Sequence, residues 1–500
     1  MGAYFPFNAK PLSPSKRTSV SATAAESKPE TIDTRQKTLR VNLDLQRYGT
    51  FAEIGAGQEV VRWFFRVGGA AGTIAKSISA YDMTVSDTYY GACERYVCRP
   101  RLQSMLDCEY ESLLSQLGNV RGDTTAFFAF ADTVSARNYK GTNDCHGWMG
   151  VKFQANPRAA SSQVIIHVRM LDADNALQQE ALGVVGVNLL YAACYLLQNS
   201  DWFLESLLNG LSINRIEIDM IEFSGNAFPQ IDNRVMSMKL VQLGLSDAAM
   251  FAADGTVLQP AEVLYKKPIL VERGSFRPVT HVNLDMLQAA HEKFASDPGI
   301  EADKIVQLME ITMSNLLQSG HVDYQDFLAR VDLLAATGKT VLISDYFEYY
   351  RLAAYLARYT KAQIGIAMGV ASLRELLNEK YYAQLEGGVL ESFGRLFKND
   401  LKLYIYPLLD VATGDLTAVQ NLEVAPNLRK LYEYLVERGC IEQLNNFKEE
   451  YLPIFSRDVL HRIEAGDSSW EAMVPTEVAN LIKQRGFFGY HRPANALNTA

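Results

Sequence analysis

The chain has 500 residues, 48% of them hydrophobic and 21% charged, the composition of a globular protein able to bury large cores. A net charge of −9, from 48 basic and 57 acidic residues, argues against a general nucleic-acid binder and leaves room only for a local basic groove. Six cysteines at irregular spacing make no disulfide framework, so reduced thiols in a cytoplasmic setting are expected.

Residues 1–37 read as a disordered tail: the first 25 hold Lys10, Lys16 and Arg17, no acid, and many Ser, Thr, Ala and Pro. Organelle import is the alternative use of that composition. Myristoylation is not expected, because Pro6 stands where the signal wants Ser or Thr. An N-terminal α+β domain is expected over 38–282, opening with a short strand at 39–45. A glycine-rich segment follows, with Gly55-Ala56-Gly57 and Gly68-Gly69-Ala70-Ala71-Gly72 flanking a helix-like run through Val60, Val61, Trp63, Phe64 and Phe65. Residues 92–118 read as a helix. Strands are predicted at 124–134, 148–154, 163–171 and 213–223, with buried helices near 176–198 and 201–210. The apolar stretch 183–197 is shorter than the roughly 20 residues a bilayer requires and contains Asn188, so a buried helix is expected and no membrane span.

Residues 283–338 read as a helical connector. The last domain, 339–500, alternates strand and helix, with strands at 340–344, 363–368 and 401–407 expected to lie parallel through right-handed crossovers. The fold class is therefore α/β or α+β: a mixed N-terminal sheet with buried helices, then a small parallel sheet with a helical end.

Glycines clustered this tightly imply that backbone passes close to a ligand or another element. Gly55, Gly57, Gln58, Arg62, Gly68 and Gly69 are therefore candidate ligand contacts, and Lys76 and Asp82, with His146, candidate catalytic residues. The whole segment from Gly55 to Asp87 is expected to line the main pocket within reach of His146. Glu53 and Asp82 could hold a ribose or a metal, which leaves Mg2+ open as a cofactor. In Asn143-Asp144-Cys145-His146-Gly147-Trp148, His146 reads as a substrate contact rather than a zinc ligand, since the spacing of Cys93, Cys98 and Cys108 fits no common zinc pattern.

Period-two alternation puts His167 with Arg169, Glu217 with Asp219, and Lys152 with Gln154 on common faces. If those strands are neighbours, the result is either a polar binding floor or a solvated face with cross-strand ion pairs, the commoner outcome. Arg273 and Arg277 could clamp an anion, and Asp345 follows a strand at the end where parallel sheets bind ligands, unless it only caps a helix. Ala336-Thr337-Gly338-Lys339-Thr340 is not a phosphate loop: Leu333 replaces the first glycine, and a strand follows where a helix should.

Residues 51–83, 146–154, 273–287 and 385–397 together resemble a family of large bacterial proteins, some labelled nicotinate- or nicotinamide-nucleotide adenylyltransferases. The resemblance runs from about residue 39 to the end and implies a nucleotide substrate. Adenylyltransferases of that kind are similar to one another in (His/Thr)-x-Gly-His and Ile-Ser-x-(Ser/Thr)-x-x-Arg. Here Gln318-Ser319-Gly320-His321 lacks the leading residue, and the stretches beginning Ile78-Ser79 and Ile343-Ser344 both fail the second pattern. The expectation is a soluble enzyme handling a nucleotide or another phosphate-bearing ligand, with nucleotidyl transfer as the finer reading. The alternative is a non-catalytic assembly or scaffold protein, and homo-oligomerisation fits either.

Overall fold

A computed structural model describes residues 30–55, 58–317 and 320–491. Most of the tail expected over 1–37 lies outside them. Its last residues do not behave as a tail, and no strand forms at 39–45. Asp33 and Gln36 make a reciprocal capping box that starts helix α1 (Thr34–Asn42). Lys37 is buried there, donating to Asn188 Oδ1 at 2.8 Å.

The first sheet joins β1 (Arg47–Gly55), β2 (Ile74–Ile78), β3 (Ala126–Ser135), β4 (His146–Gln154), β5 (Ser161–Met170) and β6 (Ile216–Gly225) in the order β2-β1-β3-β4-β5-β6. The steps β2-β1-β3 are parallel and the rest antiparallel. β3 to β6 are the four predicted strands within a few residues. β1 and β2 were hidden in the glycine-rich segment.

Helices α2 (Glu59–Val67), α3 (Met83–Tyr90), α4 (Arg99–Arg121), α5 (Asn175–Tyr195), α6 (Ser200–Ser206) and α7 (Asn233–Gln242) accompany this sheet. α4 lays Leu102, Met105 and Leu106 on one face, and α1, α2 and α5 cover the other. α5 is buried almost throughout, and Asn188 inside it is satisfied by Lys37 and the carbonyls of Leu207 and Asn209. No helix among the described residues is long and apolar enough to cross a membrane.

The second sheet contains β7 (Ala248–Phe251), β8 (Val257–Leu258), β9 (Ile269–Arg273), β10 (Val306–Thr312), β11 (Thr340–Ser344), β12 (Ile364–Gly369) and β13 (Lys402–Tyr406). A separate ribbon of β14 (Leu408–Leu409) and β15 (Leu416–Thr417) precedes the last member, β16 (Ile441–Gln443). The order is β16-β13-β12-β9-β10-β11-β7-β8, parallel from β16 to β11. The three strands expected to lie parallel do so, but β9 and β10 stand between two of them. The stretch expected to be a helical connector therefore supplies a central strand, β10. Taken along the chain, the six parallel strands have the doubly wound order 3-2-1-4-5-6, reversing between β9 and β12.

Helices α8 (Pro260–Leu264), α9 (His281–Ala295), α10 (Met313–Leu316), α11 (Tyr324–Ala336), α12 (Tyr349–Leu356), α13 (Val370–Leu376) and α14 (Gly388–Leu396) run between these strands. One apolar core runs without a break from Leu102, Leu106, Trp148 and Ile165 of the first sheet to Phe251, Leu270 and Met309 of the second. The two sheets thus pack through a shared core and enclose polar groups at its margin.

Candidate functional site

The glycine-rich segment is explained by close packing of backbone. Gly55 has φ +87°, and a Cβ there would lie 2.0 Å from the Val134 carbonyl oxygen of the neighbouring strand. Gly68 and Gly69, both with positive φ, end α2 and start the next turn. Gly57 lies outside the described residues. Gln58 donates to Ser79 Oγ, and Arg62 pairs with Glu59. With Ser79, Gln58 and Arg62 line an open groove of about 470 Å3.

The proposed catalytic trio is not brought together. Lys76 pairs at 2.6 Å with buried Glu109, which also accepts from Tyr90 at 2.9 Å. Asp82 caps α3 through the amides of Thr84 and Val85. None of the described residues between Gly55 and Asp87 lines the cavity that holds His146. The reason is the pleat. α2 leaves β1 on the face that α5 covers, whereas His146 points to the opposite face with Trp148. Arg273 and Arg277 do not converge on an anion either, being committed to Glu310 and Asp326. Asp345 sits at the end of β11, its carboxyl raised by burial.

His146 belongs to a constellation built from both sheets. β4, β5 and β6 are neighbours, with Trp148 opposite His167 and Arg169 opposite Glu217. The register slips between His167 and Val168, so that Asp219 is the extra residue of a bulge. Such bulges re-aim side chains, and this one turns Asp219 onto His167. The Asp219 Oδ1 to His167 Nδ1 distance is 2.5 Å, and His167 Nε2 lies 3.0 Å from His146 Nδ1. The second sheet supplies Gln259, whose Oε1 accepts the Glu262 amide at the start of α8. That fixes its Nε2 toward Asp219 Oδ2 at 3.2 Å.

These contacts determine the tautomers. Asp219 accepts at both oxygens, so His167 carries its proton on Nδ1 and presents a lone pair at Nε2. His146 therefore donates from Nδ1, and its own Nε2 is left with a free lone pair. Burial, then the neighbouring His167, lowers the His146 imidazole to about 4, so it is neutral at pH 7. His167 is 2% exposed and rests edge-on against Trp148.

The cavity beside this chain measures about 680 Å3 and is walled by both sheets. Four guanidiniums line it: Arg95, Arg137, Arg169 and Arg358. Arg169 is held by Glu217 at 2.9 Å, and Glu217 is itself raised by burial and then by Asp219. Arg358 stands 3.8 Å from Asp247. Arg95 and Arg137 form no ion pair with a described residue. Of the expected polar floor, His167 and Arg169 line this cavity, and buried Asp219 and Glu217 hold them from below. Lys152 is instead taken by Asp107 of α4 at 2.6 Å, and Gln154 bonds backbone. Among the described residues no group of three or more His, Cys, Asp or Glu is placed to hold a metal ion.

No family model and no curated protein matches the chain. Among solved structures, a competence/damage inducible protein from Agrobacterium tumefaciens is similar over 34% of this chain and 98% of its own, at 14% identity and a TM-score of 0.24. A competence-damaged superfamily protein from Klebsiella pneumoniae covers 32% and 96%, at 13% identity and the same TM-score. A competence or damage-inducible protein from Enterobacter asburiae covers 32% and 95%, at 13% and 0.24. None of the three is described as an adenylyltransferase, and likeness at this TM-score carries no argument about function.

Proposed function

We propose that this chain is an enzyme that binds a small phosphate- or carboxylate-bearing molecule between its sheets and removes a proton at His146 Nε2. The observation that carries this reading is the Asp219–His167–His146 chain, ending in an imidazole lone pair in a cavity where Arg95 and Arg137 form no ion pair with a described residue. The anion would sit on Arg95 and Arg137, with Arg169 and Arg358 as further donors. His146 Nε2 takes a proton from a substrate hydroxyl or from water, leaving the electron pair on that oxygen. The Nδ1 proton passes to His167 Nε2, and the positive charge comes to rest beside Asp219. Nucleotides belong to this substrate class, and a nicotinate or nicotinamide nucleotide is the member the sequence resemblance implies.

The test is thermal melting with inorganic phosphate and a panel of nucleoside and nicotinamide mononucleotides. A ligand at 100 times its Kd should add about 2.7 kcal/mol. The Arg95→Ala/Arg137→Ala double variant should melt like wild type without ligand and lose the response. A response that survives in that variant, or no response to any of the anions, refutes this site. An assembly role is the second reading, favoured by the exposed run Tyr81, Met83, Val85 and Tyr89 on and before α3. Light scattering of Met83→Lys/Tyr89→Lys against wild type separates it: a change in mass supports an interface.

A further inference from the structure

We propose a second site, independent of the His146 cavity: the cleft at the carboxyl ends of β9, β10 and β12 binds a nucleoside. Its planar base would lie on Phe347 and Tyr381, and its ribose hydroxyls would donate to Glu348. In doubly wound sheets ligands bind where the strand order reverses, because successive loops there part to opposite faces and leave a crevice. Here that point lies between β9 and β12, and a cleft of about 410 Å3 occupies it. The volume falls within the range of small-molecule sites.

The cleft is a built site. Arg273, at the end of β9, makes two bonds to buried Glu310, Nε to Oε2 at 2.6 Å and Nη2 to Oε1 at 2.8 Å. Nη1 and the second N–H of Nη2 donate to the carbonyls of Phe347 at 2.6 Å and Tyr346 at 2.8 Å. Ser344 Oγ completes Glu310 at 2.5 Å. A neutralised ion pair thus pins the loop that carries Phe347 and Glu348. Among the described residues Arg273 is the only cation lining the cleft, and four of its N–H groups are already engaged, which disfavours phosphate there.

What the cleft offers is acceptors and rings. Glu348 lines the cleft with its side chain 22% exposed, its Oε2 turned inward and paired with the Arg351 guanidinium at 3.7 Å. A carboxylate held in this way presents its other oxygen as an acceptor for O–H donors such as a vicinal diol. Phe347 is 53% exposed, with the Tyr381 ring 5.3 Å away and tilted, an apolar mouth for a flat base. Across from them Thr312, Ser314 and Asn315 present polar atoms that can meet base edges. The turn after β9, Arg273-Gly274-Ser275-Phe276-Arg277-Pro278, has one glycine and reaches α9 only at His281. It lacks the glycine-rich cradle of a pyrophosphate, which selects a nucleoside over a dinucleotide.

The experiment is calorimetric titration of the full chain with adenosine, guanosine, cytidine and uridine. The 2′,3′-dideoxy form of whichever binds is titrated next. At least one nucleoside should bind, and its dideoxy analogue should bind about tenfold more weakly. Glu348→Gln should weaken the parent by a similar factor, as should Phe347→Ala, whose exposed ring can be removed without disturbing the core. His146→Ala should bind like wild type, which separates this site from the first. The proposal is overturned if none of the four binds at about 1 mM. It is also overturned if the dideoxy analogue binds equally, or if Phe347→Ala leaves the affinity unchanged.

Discussion

Asp132→Asn should change how stability depends on pH. Asp132 of β3 and Glu53 of β1 are cross-strand partners on the face beneath α2. Glu53 is 2% exposed and accepts the amides of Gln58, Val60 and Val61 at 2.9, 3.0 and 3.1 Å. Asp132 is fully buried, and neither of its oxygens makes a well-formed hydrogen bond among the described residues. Burial, then the charge of Glu53, pushes the Asp132 carboxyl well above its usual range, while burial raises Glu53 to about 7 despite its three amides. The amides favour charge on Glu53, so the proton of this pair resides on Asp132. Folding therefore takes up a proton once the unfolded Asp, near 3.8, has ionised. The contribution of the pair is complete below that pH and declines as pH rises, by about 1.4 kcal/mol per pH unit. Asparagine has the same shape, carries a permanent N–H and binds no proton. The stability of Asp132→Asn relative to wild type should therefore climb as pH rises from 5 to 7, at a slope of up to about 1.4 kcal/mol per pH unit. Urea unfolding at each pH measures it, followed by tryptophan emission, to which Trp63, Trp148 and Trp202 report from the first sheet and its helices. A difference that stays within about 0.5 kcal/mol across that range would falsify the shared proton.

Lys37 should show the opposite sign. Burial lowers it to about 8 from 10.5, so the unfolded chain binds more protons between those values, and wild type should gain stability there relative to Lys37→Met in the same urea assay. Asn188→Leu strands the Lys37 ammonium and the Leu207 and Asn209 carbonyls, and should lower stability by about 2–4 kcal/mol at pH 7, read from the urea midpoint. Gly186→Val places a Cβ 2.3 Å from Val60 Cγ2 where α2 meets α5, and should cost about 1–3 kcal/mol, whereas Gly72→Ala, with only the Asn42 carbonyl at 3.6 Å, should be nearly neutral. If His146 is the base, kcat/KM for any substrate found should fall only below a pH of about 4, and an acid limb near 6.5 would contradict the buried neutral imidazole.

The strands from β3 to β6 were legible because a face covered by helices leaves a period-two imprint in the sequence. That imprint also placed His167, Arg169, Glu217 and Asp219 on one side. It could not show the bulge that joins Asp219 to His167, because a single-residue slip leaves alternation intact on either side of it. β9 and β10 were lost for a different reason. Short apolar runs such as Ile269–Arg273 carry no period long enough to tell a buried strand from a helix. The glycine-rich segment was visible but pointed the wrong way. Close approach is what Gly55 serves, and the approaching partner is the protein's own Val134 carbonyl.

Gln259, Arg358 and Tyr359 had no local signal at all, since they reach the His146 cavity only because the second sheet docks there. That docking also decides what the polar face becomes. Where α4 covers it, Lys152 meets Asp107 and the charges are neutralised pair by pair. Beyond it the second sheet brings Arg358 and Tyr359 instead of an apolar stripe, and Arg169 lies over the Tyr359 ring. A sheet built for packing alone would continue its apolar pattern to that margin, because each polar group withdrawn from water there costs about 1–3 kcal/mol unless it is paired. The chain instead keeps two histidines and two buried carboxylates at the junction, with Arg95 and Arg137 in no ion pair with a described residue, a concentration of polar groups of the kind that accompanies a ligand site.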